Sequence, residues 1–316
     1  MEDDRLRGHL GVQQRRRILK KIGIIMTLSI ATTLQAGSKF TDWSTPTNLG
    51  PAVNTSFSDS APAVSKNGLS LYLTSVRPGG LGEGDIWVSQ RGSVDEPWGS
   101  PVNVPALNSP STDQAPALSR DGHDLFFASD RPGGIGGLDI WVSRRENIHD
   151  DFDWGPPVPI TEINSSVNDA GPAYFENDEG RPQLYFQSQR PGGAGLADIY
   201  RTEQQEDGTW SAPQRVAELS SSSQEQRPTI RFDGLEIVFT STRAPSAGFD
   251  LWVSTRASVA DAWSAPERLD INSPQGDTGP YLSGDGMTLY FTSDRAGSLA
   301  SPDLWVSTRE RRRGNE

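Results

Sequence analysis

The chain repeats itself five times. The segments GDIWVSQR, LDIWVSRR, ADIYRTEQ, FDLWVSTR and PDLWVSTR place an aspartate at positions 85, 139, 198, 250 and 303, spaced 54, 59, 52 and 53 residues apart. Ahead of each lies an apolar run ending in Ser, any residue, Arg: LYLTSVR, LFFASDR, LYFQSQR, IVFTSTR and LYFTSDR. Each run follows a glycine turn, at Gly68, Gly122, Gly180, Gly234 and Gly286. A tryptophan with a proline three residues on opens a further segment, at Trp43, Trp98, Trp154, Trp210 and Trp263. An acid stands three positions before a proline in DSAP, DQAP, DAGP, EQRP and DTGP. A repeat of this length marks a unit that cannot bury its own apolar face and must stack on its neighbours.

Each unit reads as four short strands, because runs such as L-Y-L-T-S and D-I-W-V-S alternate with a period of two and no window holds a helical spacing. The 32 glycines and 23 prolines supply turns and disfavour long helices. The expected fold is all-β: a single five-bladed propeller of four-stranded blades over residues 37–309. The chain starts on a Trp segment and ends on an Asp-led strand, so the last blade lacks a strand and the N-terminal side has one to spare. The stretch Trp43–Leu49 is therefore expected to join the last blade and close the ring, leaving no open edges.

The first 36 residues differ from the rest. Arg15, Arg16, Arg17, Lys20 and Lys21 precede the apolar stretch 22–34, which is too short to span a bilayer but suits a signal-peptide core. Residues 1–36 are expected to be a signal peptide of the general or twin-arginine type, cut after Ala36, and residues 310–316 a disordered basic tail. The expected location is periplasmic or secreted, with no membrane span once the signal is removed. The absence of cysteine excludes disulfides, thiol chemistry and a lipid anchor on Cys. A net charge of −12 argues against nucleic acid, which needs a basic face.

The pattern P-x-x-S-x-D-G-x-x-L-Y-F-x-S-D-R…D-I-W, clearest in 116–141 and 280–305, resembles the TolB-type (WD-like) β-propeller repeat. The resemblance covers nearly all of residues 40–309. Val76, Gln189 and Thr242 depart from it before the Arg, as do Phe175 and Arg231 in place of the first Ser. It implies a propeller, and a family whose members mostly bind proteins or serve as appended modules.

Chemistry-bearing motifs are few. The runs RPGGLGEGD, RPGGIGGLD and RPGGAGLAD lead into strands, whereas phosphate loops open onto helices, so they read as wide hairpin loops. The recurring pairs Arg77/Asp85, Arg131/Asp139, Arg190/Asp198, Arg243/Asp250 and Arg295/Asp303 bracket those loops and read as structural ion pairs across the hairpin base. Beyond the leader only His123 and His149 remain, without metal-ligand spacing, and no nucleophile elbow occurs.

Asp59, Asp113, Asp169, Glu225 and Asp277 precede the first strand of each unit and would ring one mouth of the channel if that strand is innermost. Such a ring could hold Ca²⁺ or meet a cationic partner. The expected reading is instead that each acid accepts N–H bonds in its own loop, helped by Asn54, Asn108, Asn164 and Asn272, at about 1 kcal/mol each. The expected function is an exported, non-catalytic, monomeric module that binds a protein or small ligand and needs no cofactor. The alternative is a carbohydrate-active propeller enzyme, which requires two carboxylates in different environments. Arg227, Arg231, Phe175 and Tyr281 are the unit-specific residues that could break the symmetry around a pocket.

Overall fold

The computed structural model describes residues 39–178, 180–299 and 302–312. The expected signal peptide lies outside them, as do residues 313–316 of the expected tail. Each repeat forms one four-stranded sheet with antiparallel neighbours. In the first blade the strands, from the axis outward, are Asp59–Val64, Ser70–Ser75, Asp85–Gln90 and Val102–Asn103. The other innermost strands are Asp113–Leu118, Asp169–Phe175, Glu225–Ile230 and Asp277–Leu282. All elements among the described residues are strands, and the five sheets make a five-bladed β-propeller.

The ring closes as the repeat phase requires. Thr47–Asn48 pairs antiparallel with Asp303–Thr308, supplying the outermost strand of the last blade. The closure runs past the expected boundary: Thr41 N–H donates to the Glu310 carbonyl and Arg312 N–H to that of Lys39, both at 2.9 Å. Phe40 is buried beneath the guanidinium of Arg309, 4.0 Å from the ring centre. Residues 310–312 are therefore not a disordered tail; an antiparallel bridge between Phe40 and Arg311 and the flanking backbone bonds hold them.

Inner strands carry a kink at their third residue. Ala61, Ala115, Gly171, Arg227 and Gly279 have φ of 51°, 56°, 59°, 46° and 54°, and the pairing with the second strand slips there. The left-handed conformation costs an ordinary residue about 1–2 kcal/mol. In return it turns the N–H toward the preceding blade. Ala61 donates to Thr292 Oγ1, Ala115 to Thr74 Oγ1, Arg227 to Gln187 Oε1 and Gly279 to Thr240 Oγ1, at 2.9–3.0 Å. The matching residue for Gly171 is Ala128, which has no hydroxyl to offer.

Large apolar side chains fill the seams between blades. Tyr72 of the first blade, for example, packs with Leu125, Phe127 and Trp154 of the second. The asparagines expected to help the ring acids bridge blades instead. Asn54, Asn108, Asn164 and Asn272 each exchange two bonds with the backbone of a third strand, at Leu304, Ile86, Ile140 and Leu251. Satisfying buried backbone groups outweighs a second contact with the acids.

Candidate functional site

The five acids do not line the channel. Asp59, Asp113, Asp169, Glu225 and Asp277 have no exposed surface and lie against the arginine that ends the second strand of their own blade. Arg77 reaches Asp59 at 2.5 Å, Arg190 reaches Asp169 at 2.7 Å, Arg243 reaches Glu225 at 3.1 Å and Arg295 reaches Asp277 at 2.5 Å. Arg131 pairs with Asp113 in the same way. Each acid also takes the backbone N–H of the residue four positions earlier, from Thr55, Ser109, Ser165, Ser221 and Ser273. The serine before each arginine accepts from the guanidinium Nε, which fixes its direction. Two negative charges sharing a narrow mouth would repel, and a buried carboxylate needs a partner. The fold resolves both by sinking each acid into its blade beside an arginine.

The expected ion pairs across the hairpin base are thereby corrected, since each arginine is engaged by the ring acid. Asp85, Asp139, Asp198 and Asp303 instead accept backbone N–H groups of their own glycine-rich loop, from Leu81, Ile135, Ala194 and Leu299. Asp250, whose loop is one residue shorter, pairs with Arg268 at 2.7 Å. Burial pushes the Asp85 carboxyl up, against the loop N–H bonds that pull it down. Among the described residues no three His, Asp or Glu side chains converge to hold a metal ion.

The channel is lined by Pro62, Pro116, Pro172, Pro228 and Pro280 at its waist. On the loop side the kinked residues surround a cavity of about 30 Å³. There Arg227 crosses from the fourth blade to the second and donates to Gln114 Oε1 at 3.2 Å. A Cβ on Gly171 or Gly279 would stand 3.0 or 3.3 Å from its side chain, so glycine at these two positions leaves the guanidinium room. Burial is the one influence that lowers the Arg227 pKa, with no carboxylate acting against it.

On the face where the turns at Gly68, Gly122, Gly234 and Gly286 join first to second strands (the hairpin side, opposite the glycine-rich loops), the waist opens into a depression of about 70 Å³ walled by Tyr174, Phe232 and Tyr281, with Lys66, Ser119 and Thr229 as its polar groups. Tyr281 donates to the Val64 carbonyl at 2.6 Å and Tyr174 to Glu176 Oε2 at 2.9 Å. Burial and then Glu176 push the Tyr174 hydroxyl far above its usual range, so it stays a donor. Ser119 donates to Asp121 at 2.6 Å. Burial raises the Asp121 pKa, but Ser119 and the His123 N–H outweigh it and hold the carboxyl below the usual value. Of the symmetry-breaking residues, Tyr281 and Arg227 reach the channel. Phe175 is buried against Gly234, and Arg231 is tied to Glu236 and Asp233.

A second arginine, absent from the sequence expectations, recurs two residues beyond the Trp-Val-Ser run. Arg91, Arg145, Arg256 and Arg309 lie 4.1–4.4 Å from the ring centres of Trp98, Trp154, Trp263 and Trp43 and bond a turn-glycine carbonyl. The repeat QR, RR, TR and TR after that run carried the signal.

No protein-family model matches the sequence, and no curated protein matches it. Solved structures do share the fold. An α-L-arabinofuranosidase from Podospora anserina, solved with cellotriose, overlays at TM-score 0.57 and 11% identity, over 86% of this chain and 98% of its own. One from Lactobacillus brevis overlays at 0.55 and 16%, over 82% and 92%. A GH43 endo-arabinanase from Bacillus licheniformis overlays at 0.56 and 13%, over 80% and 94%. A protein assigned as TolB from Agrobacterium tumefaciens reaches 0.47, so the TolB-type label gains no specific support. The expectation of a non-catalytic protein- or ligand-binding module is overturned by this company, which is mostly glycoside hydrolases and favours the carbohydrate-active alternative. At these identities the likeness establishes architecture alone: the chain is a five-bladed β-propeller.

Proposed function

We propose that this protein is an exported carbohydrate-active propeller that takes a sugar chain across the hairpin-side mouth of its channel. The observation that carries the reading is the mouth itself. Tyr174, Phe232 and Tyr281 offer apolar faces to sugar C–H groups, while Lys66, Ser119 and Thr229 offer partners to hydroxyls. At about 70 Å³ the depression is far smaller than the roughly 300–1,000 Å³ of an enclosing ligand pocket. The chain therefore lies across the mouth rather than inside it.

Hydrolysis needs two carboxylates, and the Arg-paired ring acids are unsuited because they are buried and neutralised. The candidates are Asp121, whose carboxyl is held below its usual value, and Glu176, whose Oε2 accepts from the Tyr174 hydroxyl. The test is a panel of arabinan, arabinoxylan, xylo- and cello-oligosaccharides. We expect binding that Tyr281→Ala weakens, and turnover that Glu176→Gln or Asp121→Asn removes. Failure to bind any neutral glycan would overturn the reading; binding without turnover would remove its hydrolytic step.

A further inference from the structure

The seam between the first and second blades and that between the third and fourth are built alike. In the first, Tyr72 faces Arg145, whose guanidinium lies on Trp154 and whose Nε donates to the Gly122 carbonyl. A carboxylate sits between them. Asp151 accepts from Tyr72 at 2.7 Å, Arg145 at 2.9 Å, Ser70 at 2.7 Å and Gln90 at 2.6 Å. Tyr185, Arg256, Trp263 and the Gly234 carbonyl repeat this arrangement between the third and fourth blades. There the carboxylate is missing, because the residue three before the tryptophan is Ala260 instead of Asp151.

What remains is a groove of about 320 Å³ with a charge to satisfy. The Tyr185 hydroxyl, in a fully buried side chain, finds no hydrogen-bond partner among the described residues. Gln183, in the place of Ser70, likewise leaves its buried Oε1 unpartnered. The third blade also replaces the strand valine of the other four (Val88, Val142, Val253, Val306) with Arg201, which lines the groove. Arg215 adds a third cation, against Glu218 and Asp261 at the rim, so the lining is net positive in a chain of net charge −12. Burial, the largest influence, draws the Arg256 pKa down, with the neighbouring Tyr185 hydroxyl and Asp261 opposing it and Arg201 adding to it.

We infer that the groove between the third and fourth blades binds a small carboxylate ligand, whose carboxylate takes the place that Asp151 fills between the first and second. The ligand's oxygens accept from Tyr185 and Arg256, and Arg201 supplies further charge-assisted hydrogen bonding. A uronic sugar and a free organic acid present the same group, and the site stands apart from the hairpin-side mouth. Its success or failure is therefore independent of the proposed glycan reading.

The test is thermal unfolding and calorimetric titration of the full chain with glucuronate, glucose, acetate and, as an ionic-strength control, sodium chloride. Glucuronate is expected to raise the melting temperature saturably, by linkage to the folded state, while glucose and chloride do not. An equal response to acetate would assign recognition to the carboxylate alone; a weaker one would add the sugar ring. Tyr185→Phe should keep or raise the melting temperature of the free protein, because it deletes an orphaned hydroxyl, yet weaken glucuronate at least about tenfold, in line with one charge-assisted hydrogen bond. Tyr72→Phe should do the reverse, lowering stability and leaving glucuronate affinity unchanged. No response to either carboxylate, a glucose response equal to that of glucuronate, or undiminished binding by Tyr185→Phe would each overturn the inference.

Discussion

At the residue scale, the acids that recur in every blade act as blade fasteners. Asp113, itself fully out of solvent, touches Arg131, the Ser109 N–H and the Ser109 hydroxyl. Asp113→Asn should therefore cost about 3–5 kcal/mol, the range for breaking a buried pair from one side, rather than the 1 kcal/mol of an exposed cap. Calcium at about 10 mM, above the range of weak extracellular sites, should leave the melting temperature unchanged because Arg131 already holds the charge. A calcium-dependent rise would contradict this. Asp151 makes a pH prediction. Burial raises its pKa, but hydrogen bonds from Ser70, Tyr72, Arg145 and Gln90 win and depress it. A depressed carboxyl contributes stability above its unfolded value of about 3.9, and that contribution is lost as pH falls through the folded value. Asp151→Asn should lower stability at pH 7 and flatten the acid limb of the melting curve below about pH 4, measured by calorimetry across pH. The sequence made the wrong arginine partner look right. Arg77 and Asp85 are neighbours along the chain, whereas Asp59, its true partner, is brought close only when the innermost and second strands pair.

At the element scale, most of the architecture was legible. Five recurrences of Gly turn, Ser-x-Arg strand, Asp-led strand and Trp segment specified the strand order, and their phase specified which strand closes the ring. Deleting Trp43–Leu49 removes the Thr47–Asn48 pairing and the Trp43–Arg309 stack, and exposes the edge of Asp303–Thr308. The melting temperature of that variant should fall by about 4 °C or more, the shift expected for a few kcal/mol in a chain of this size. An unchanged melt would show that closure is dispensable. What the pattern could not reveal was the inner-strand kink. Glycine would announce a left-handed residue, but only two of the five kinks carry it; Ala61, Ala115 and Arg227 adopt the same φ at a cost, and before proline they read as ordinary extended residues. The kink also decides which side chains face the channel: it withdraws the acid and presents the third residue, which is why Arg227 reaches the axis and Glu225 does not.

At the scale of the whole molecule, near-symmetry makes the departures informative. The mouth aromatics Tyr174 and Tyr281 belong to two different blades, and the groove beside Tyr185 belongs to one seam of five. Sequence repeats identify the common frame but cannot weigh one-blade differences until the seams are superimposed in space. The carbohydrate-active reading predicts that Phe232→Ala, at the mouth, weakens glycan binding several-fold while the melting temperature moves little, since Phe232 stands outside the buried core clusters. Titration of a glycan panel measures both. The joined ends have one more consequence. Because Lys39 and Arg312 are already hydrogen-bonded, the chain's order around the ring is a matter of where it was cut, not of how the blades stack. A circular permutant with these residues linked by a few glycines and new termini opened in the exposed 92–97 loop should keep the same five sheets. The strand that closes the ring would then be Val102–Asn103, pairing with Asp85–Gln90 inside the first blade.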